Sequence, residues 1–187
     1  AEAVKHGILE GGRHFDFLED SVQRFGCEQG LDYKACPADV LERIIGLSQQ
    51  FKLEVVAQDP RESSSRRLLN LGHSFGHALE SASGMLHGYA VSLGIALATG
   101  YACAKGRIKE AEKGRILRLL SLYGLPVSIE AVDTDGSLRK KAAELFFMDK
   151  KRVGELVHFI LPEGIGAVKI EKIPFDELLS FLREDLR

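Results

Sequence analysis

The sequence of 187 residues lacks several features that would assign it to a particular class of protein. Its net charge is only -2, so no overall basic surface for nucleic acid or for an anionic membrane is expected. The longest apolar run, residues 90–104, is broken by polar and glycine residues and is too short to span a bilayer. No signal peptide is recognisable. We therefore expect a soluble, cytoplasmic globular protein without nucleic-acid or membrane partners.

Cysteines and nucleotide-binding motifs are also scarce. Cys27, Cys36 and Cys103 form no C-x-x-C pair, and an odd, scattered set is typical of reduced thiols in a cytoplasmic protein. No P-loop and no G-x-G-x-x-G segment follows a predicted strand. Any nicotinamide cofactor would therefore have to be bound by another domain.

Helical periodicity dominates what the sequence does contain. We predict roughly seven helices, and the clearest are residues 14–25, 37–58, 66–82, 86–106, 109–123, 138–148 and 175–186. One short β-hairpin is predicted, with residues 157–162 followed by a return at 164–170. The predicted fold class is mainly α, a single multi-helical domain over residues 1–187. The start, 1–7, has the pattern of a helix interior with no cap before it, which suggests the later part of a longer protein.

Three of the six histidines, His73, His77 and His87, lie within fifteen residues. His73 and His77 are four residues apart and share one face of a helix. A predicted turn at Ser83-Gly84 would return His87 to the same place. Neutral imidazoles with a carboxylate from elsewhere would form a zinc-type site with an open position. The spacing therefore favours a metal or catalytic site over ordinary hydrogen-bonded core histidines.

Five motifs, in order along the whole chain, resemble those of 3-dehydroquinate synthase. They are Ala1-Glu2-Ala3-Val4-Lys5, Phe51-Lys52-Leu53-Glu54-Val55-Val56, the D-x-x-E loop Asp59–Glu62, the segment Asn70–Glu80 with Leu86-His87-Gly88, and Met148-Asp149-Lys150-Lys151 followed by Ile165-Gly166. The resemblance implies the α-helical C-terminal domain of the dehydroquinate synthase-like fold. It also implies a preceding Rossmann-like domain that binds NAD and holds most cofactor contacts, and a homodimer.

Carried over position by position, the resemblance implies that Glu2, His73 and His87 bind zinc or cobalt. It implies that His77 helps to move protons and that Lys5 belongs to the catalytic set. The residues that match the family's substrate contacts are Lys5, Lys52, Arg66, Asn70, His77, Lys150 and Lys151. Which of Lys150 and Lys151 points inward stays open.

The implied activity is that of a carbon-oxygen lyase of the shikimate pathway, which leads to chorismate and the aromatic amino acids. With NAD and a metal, it would convert 3-deoxy-D-arabino-heptulosonate 7-phosphate to 3-dehydroquinate and phosphate. One position departs from the family pattern: Tyr89 stands where Glu is usual after Leu-His-Gly. Tyrosine cannot supply a carboxylate behind a metal-bound His87.

Three alternatives follow from the same residues. One is another sugar-phosphate cyclase, such as 2-deoxy-scyllo-inosose synthase. Another is a metal-dependent polyol dehydrogenase of the glycerol dehydrogenase type, against which the cationic residues argue, because such substrates need no phosphate contacts. The third is a metal-free helical binding module, which predicts that Glu2 and the three histidines lie more than ~8 Å apart, far beyond metal-bonding range.

Overall fold

The structure is a computed structural model that describes residues 1–27, 30–133, 135–150 and 156–184. Within these ranges the chain forms eight α-helices and one 3₁₀ helix. The helices are α1 (Glu2–Glu10), α2 (Gly12–Phe25), α3 (Ala38–Gln58), the 3₁₀ helix (Ser65–Asn70), α4 (His73–Ser83), α5 (His87–Ala104), α6 (Glu110–Leu122), α7 (Ser137–Lys150) and α8 (Phe175–Glu184). None of them is long and apolar enough to cross a membrane.

Two antiparallel strand pairs accompany the helices. The predicted hairpin is present and is formed by β3 (Leu156–Gly164) and β4 (Ala167–Pro174). A second pair, β1 (Gly26–Cys27) with β2 (Gly30–Leu31), was not predicted, because two-residue strands show no alternation of polar and apolar residues. The prediction of a mainly α fold with a β-hairpin is confirmed.

Helix α5 is the central element, as its nearly continuous apolar sequence predicts. Twelve of its residues are buried, including the polar Ser92 and Thr99. Both hydroxyls are satisfied, because Ser92 Oγ donates to the Pro126 carbonyl and Thr99 Oγ1 donates to the Ile95 carbonyl, each at 2.7 Å. The core is therefore closed around α5 without unpaired hydroxyls at these two positions.

Helices α4 and α5 approach each other so closely that their backbones touch. A Cβ atom at Gly94 would overlap the carbonyl oxygen of Gly72 and lie 2.9 Å from the Gly76 amide nitrogen. At Gly76 a Cβ atom would lie 3.1 Å from the Ala90 carbonyl oxygen. Small residues on both sides of the contact thus allow the start of α4 to pack directly against α5.

The prediction of one continuous helix over 66–82 is wrong. The segment consists of the 3₁₀ helix Ser65–Asn70, a break, and α4 from His73. The break contains Gly72, whose φ is +80°, a backbone conformation that residues other than glycine rarely adopt. The consequence is that His73 is the first residue of α4.

The hairpin is attached to the end of α1. The amide of Gly166 donates to the Ile8 carbonyl at 2.8 Å, which satisfies one of the last carbonyls of that helix. Gly11, with φ +68°, packs so tightly on the turn that a Cβ atom there would lie 2.6 Å from the Gly166 Cα. This attachment carries β3 to the side of the molecule where the histidines lie.

Candidate metal and substrate site

Three separate helices bring the predicted metal ligands together. Glu2 lies in the first turn of α1, His73 begins α4 and His87 begins α5. One potential ligand atom from each lies within 4.8 Å of the other two. The rings of His73 and His87 are 5.5 Å apart between centroids. The separation of more than ~8 Å that a metal-free module predicts is therefore not observed.

The protonation of His73 fits a role as ligand. Its Nδ1 lies 3.1 Å from the Leu71 carbonyl oxygen, which can only accept a hydrogen bond. Nδ1 therefore carries the proton, and the lone pair of Nε2 stays available to a metal. Burial, reinforced by the Lys5 ammonium, lowers the pKa of His73 and favours the neutral ring that binds metals. The donor set suits zinc or cobalt.

Glu2 is held by a buried cation. Lys5 Nζ donates to both carboxylate oxygens of Glu2, at 3.0 and 2.9 Å, and the Lys5 side chain is 3% exposed. Burial alone would raise the pKa of Glu2, but attraction and hydrogen bonding from Lys5 outweigh it, and the pKa is lowered. Burial also lowers the pKa of Lys5, against the opposing effect of Glu2. The carboxylate is therefore ionised and ready to bind a cation.

A cavity of about 190 Å³ opens beside Glu2 and contains most of the predicted substrate contacts. Its lining residues are Glu2, Lys5, His6, Lys52, Val56, Glu62, Arg66, Leu69, Asn70 and His73. The cations Lys5, Lys52 and Arg66 come from three different elements, so only the fold brings them together. Such a cluster suits a phosphate or carboxylate group.

A second cavity of about 380 Å³ adjoins the first, because Glu62, Asn70 and His73 line both. The other lining residues are Arg67, Ser74, His77, His158, Ile160 and Ile170. His77 is exposed here, and its ring centroid lies 5.3 Å from that of His73. The predicted proximity of His77 to the ligand cluster is thus present.

Several residues of this second cavity were not among the predicted contacts: Glu62, Arg67, Ser74 and His158. Glu62 could have been predicted, because it is the glutamate of the D-x-x-E motif. In the structure its Oε1 accepts a hydrogen bond from Asn70 Nδ2 at 2.9 Å. No sequence motif pointed to His158, since it lies on β3 and reaches the other histidines only through tertiary packing.

The loop before the 3₁₀ helix is organised by Asp59, which is 4% exposed. Its carboxylate accepts hydrogen bonds from the backbone amides of Ser63 at 2.9 Å, Ser64 at 2.7 Å and Arg66 at 3.1 Å. These bonds, led by that from Ser63, hold the pKa of Asp59 well below its usual range. Asp59 thereby fixes the backbone that presents Glu62 and Arg66 to the cavities.

The lysine pair of the late motif cannot be placed in the site. Lys150 is the last residue of α7, but its side chain is not among those described, and Lys151 lies outside the described residues. Their assignment to the substrate stays a prediction.

His77, Glu80 and His87 form a second set of three potential ligands, also within 4.8 Å of one another.

Comparison with known proteins agrees with this architecture. The family model described as 3-dehydroquinate synthase C-terminal matches residues 1–152. The 3-dehydroquinate synthase of Sinorhizobium medicae (strain WSM419) is 36% identical over 192 residues, covering 98% of this chain and 48% of the relative. The chain thus spans about half the length of the curated relatives it matches.

Two solved structures are similar along nearly the whole chain. ValA (2-epi-5-epi-valiolone synthase) from Streptomyces hygroscopicus subsp. jinggangensis 5008, with NAD⁺ and Zn²⁺ bound, has a TM-score of 0.73 at 27% identity and covers 98% of this chain and 49% of its own. A 2-deoxy-scyllo-inosose synthase complexed with carbaglucose-6-phosphate, NAD⁺ and Co²⁺ has a TM-score of 0.75 at 21% identity, covering 98% and 50%, which supports the fold. With the family model matching most of the chain, this protein belongs to the 3-dehydroquinate synthase C-terminal family.

Proposed function

We propose that this chain is the metal- and substrate-binding part of a 3-dehydroquinate synthase. The activity would convert 3-deoxy-D-arabino-heptulosonate 7-phosphate to 3-dehydroquinate and phosphate, in a cytoplasmic homodimer whose N-terminal half binds NAD. The observation that carries the proposal is the convergence of Glu2, His73 and His87 beside a cavity lined by three cations. The three cations argue against a polyol dehydrogenase, because the substrates of such an enzyme need no phosphate contacts.

The residues divide the work as follows. A divalent metal held by Glu2, His73 and His87 would polarise the substrate's hydroxyl and ketone oxygens, and NAD from the other half would take up and return the hydride. Lys5, Lys52 and Arg66 would bind the phosphate and carboxylate of the substrate.

Two further residues would act on the sugar itself. Asn70, at the junction of the two cavities, would hold hydroxyl groups. The exposed ring of His77 would carry protons during elimination of phosphate and ring closure. Because the leaving phosphate can accept the proton itself, the main contribution of the chain is to orient the substrate.

The deciding experiment uses the full-length protein that carries this chain, with NAD and zinc. Phosphate release from the heptulosonate phosphate is measured for the wild type and for His73→Ala. We expect release with dehydroquinate as product in the wild type and at least a ~10²-fold loss in the variant. A folded, zinc-loaded wild type that releases no phosphate would refute the proposal.

A second candidate is another sugar-phosphate cyclase, and Tyr89 is the observation that favours it. The solved relatives include two such cyclases, which share the fold. The same assay with an aldohexose 6-phosphate, of which carbaglucose-6-phosphate is a carbocyclic analogue, discriminates between the two. Turnover of the aldohexose phosphate but not of the heptulosonate phosphate would establish the alternative.

A further inference from the structure

The first residue of α5, His87, is bonded to a carboxylate on the preceding helix. Its Nδ1 lies 3.0 Å from Oε2 of Glu80, which lies in the last turns of α4. The two helices are joined through Gly84, which has φ +71° and nothing within 4 Å of the position of a Cβ atom. The turn thus brings Glu80 and His87 together although they are seven residues apart.

The chemistry of this contact determines which nitrogen of His87 is free. An ionised carboxylate can only accept hydrogen bonds, so Nδ1 must be the donor and must carry the proton. In a neutral ring the lone pair then resides on Nε2. Histidines that bind metals usually donate their other N–H to such an acceptor, and this fixes both the tautomer and the orientation of the ring.

We propose that Glu80 is a positioning residue for the metal site, holding His87 so that Nε2 faces Glu2 and His73. Glu80 is the carboxylate that the structure places at His87 Nδ1. Tyr89 has no carboxylate to offer and is 43% exposed. The inference rests on the proposed metal site but not on the identity of the sugar phosphate.

The rival interpretation is that Glu80 binds the metal directly, together with His77 and His87. The geometry argues against it, because the bond between Glu80 and His87 already uses Nδ1, and a metal at that nitrogen would require its proton to leave. A metal at the set that contains Glu2 and His73 can use Nε2 and leave the bond to Glu80 intact. This arrangement satisfies both nitrogens of His87.

The test is a zinc titration of the 187-residue chain against a competing chelator. We expect the wild type to bind one zinc ion, and Glu80→Ala to bind it ~10–100-fold more weakly, as for other outer acceptors of metal-bound histidines. Glu80→Gln should fall between them, because its amide oxygen accepts the hydrogen bond without the charge. Glu54→Gln, a loss of one exposed charge on α3, is the matched control and should leave the affinity unchanged.

A second measurement reports on the ring itself. In the zinc-free wild type, ¹⁵N chemical shifts of His87 should show the proton on Nδ1, and Glu80→Ala should give a mixture of tautomers. Urea unfolding of the zinc-free chain should differ little between the two, since the pair is 48% and 36% exposed and such pairs contribute little to stability.

The outcomes distinguish a failure of the positioning role of Glu80 from a failure of the proposed metal site. Equal zinc affinity in Glu80→Ala and wild type would overturn the positioning role. Loss of zinc on changing Glu80 or His77 to alanine, but not on changing His73, would make Glu80 a ligand and overturn it as well. A folded wild type that binds no zinc would refute the metal site itself, whereas the ¹⁵N shifts would still test the bond between Glu80 and His87.

Discussion

The Lys5 ammonium bridges both carboxylate oxygens of Glu2, one helical turn earlier, at 3.0 and 2.9 Å. The cation is almost fully buried, whereas 45% of the Glu2 side chain is exposed. A residue proposed to bind metal and a residue proposed to bind substrate are therefore coupled before either ligand arrives. The ion pair explains how the ammonium group of Lys5 can be buried in the protein interior.

This coupling predicts the behaviour of charge variants. Glu2→Gln should lower the free energy of unfolding of the metal-free chain by ~1–3 kcal/mol, because Lys5 is left buried without its anionic partner. Adding Lys5→Met should recover most of this loss, since both charges are then removed. Urea denaturation at pH 7 measures both. A double variant as unstable as the sum of the two single variants would contradict the coupling.

The stability of the metal-free chain should fall as the pH drops from about 6.5 towards 4. Burial, with repulsion from Lys5 and Lys52 and partial compensation by Glu2, lowers the pKa of His6 from 6.5 to about 4. In this window the unfolded state binds the proton and the folded state does not, so stability is present above pH 6.5 and declines below it. His73, whose pKa is also lowered, acts in the same direction.

The measurement for this prediction is the urea midpoint at several pH values between 7.5 and 4.5, in the presence of a chelator. His6→Gln should show a shallower decline than the wild type. A wild-type midpoint that does not change over this range, or an equally steep decline in the variant, would show that His6 is not responsible.

The crossing of α4 and α5 predicts a large effect for a small substitution. Gly94→Ala places a methyl group on the Gly72 carbonyl oxygen, which must move, and should cost ~3 kcal/mol or more of the free energy of unfolding. Gly46→Ala on α3 is the matched control, because nothing lies within 4 Å of the added group. The control should be stabilising by ~0.5–1 kcal/mol. Similar midpoints for the two variants in thermal or urea unfolding would contradict the observed contact.

The loop held by Asp59 should lose its order on Asp59→Ala. The amides of Ser63, Ser64 and Arg66 would lose their acceptor, and the backbone that presents Arg66 would no longer be fixed. We expect faster hydrogen exchange of these three amides and weaker binding of inorganic phosphate. Ser21→Ala, which removes the hydrogen bond from Ser21 Oγ to the Phe17 carbonyl on α2, is a control for the loss of a hydrogen bond outside the loop and should leave both readouts unchanged. Unchanged amide exchange in the Asp59 variant would contradict this prediction.

Only part of the candidate site could be predicted from the sequence. His73, His77 and His87 stood out because short-range spacing places them on helix starts and a helix face. The start of α4 was misplaced, since Gly72 takes up its φ of +80° in a packed contact with α5 that no local pattern reveals. His158 was missed because a strand histidine reaches the site only through the docking of the hairpin on α1.

The sequence by itself determined the mainly α class, the hairpin, the central position of α5 and the residue types that can bind a metal and an anion. These depend on periodicity, apolar content and local spacing. Tertiary structure decided which of these groups meet: Glu2 with His73 and His87, Lys5 with Lys52 and Arg66, and Glu80 with His87. Such contacts join residues whose positions relative to one another are set by packing between helices, and packing depends on the whole core.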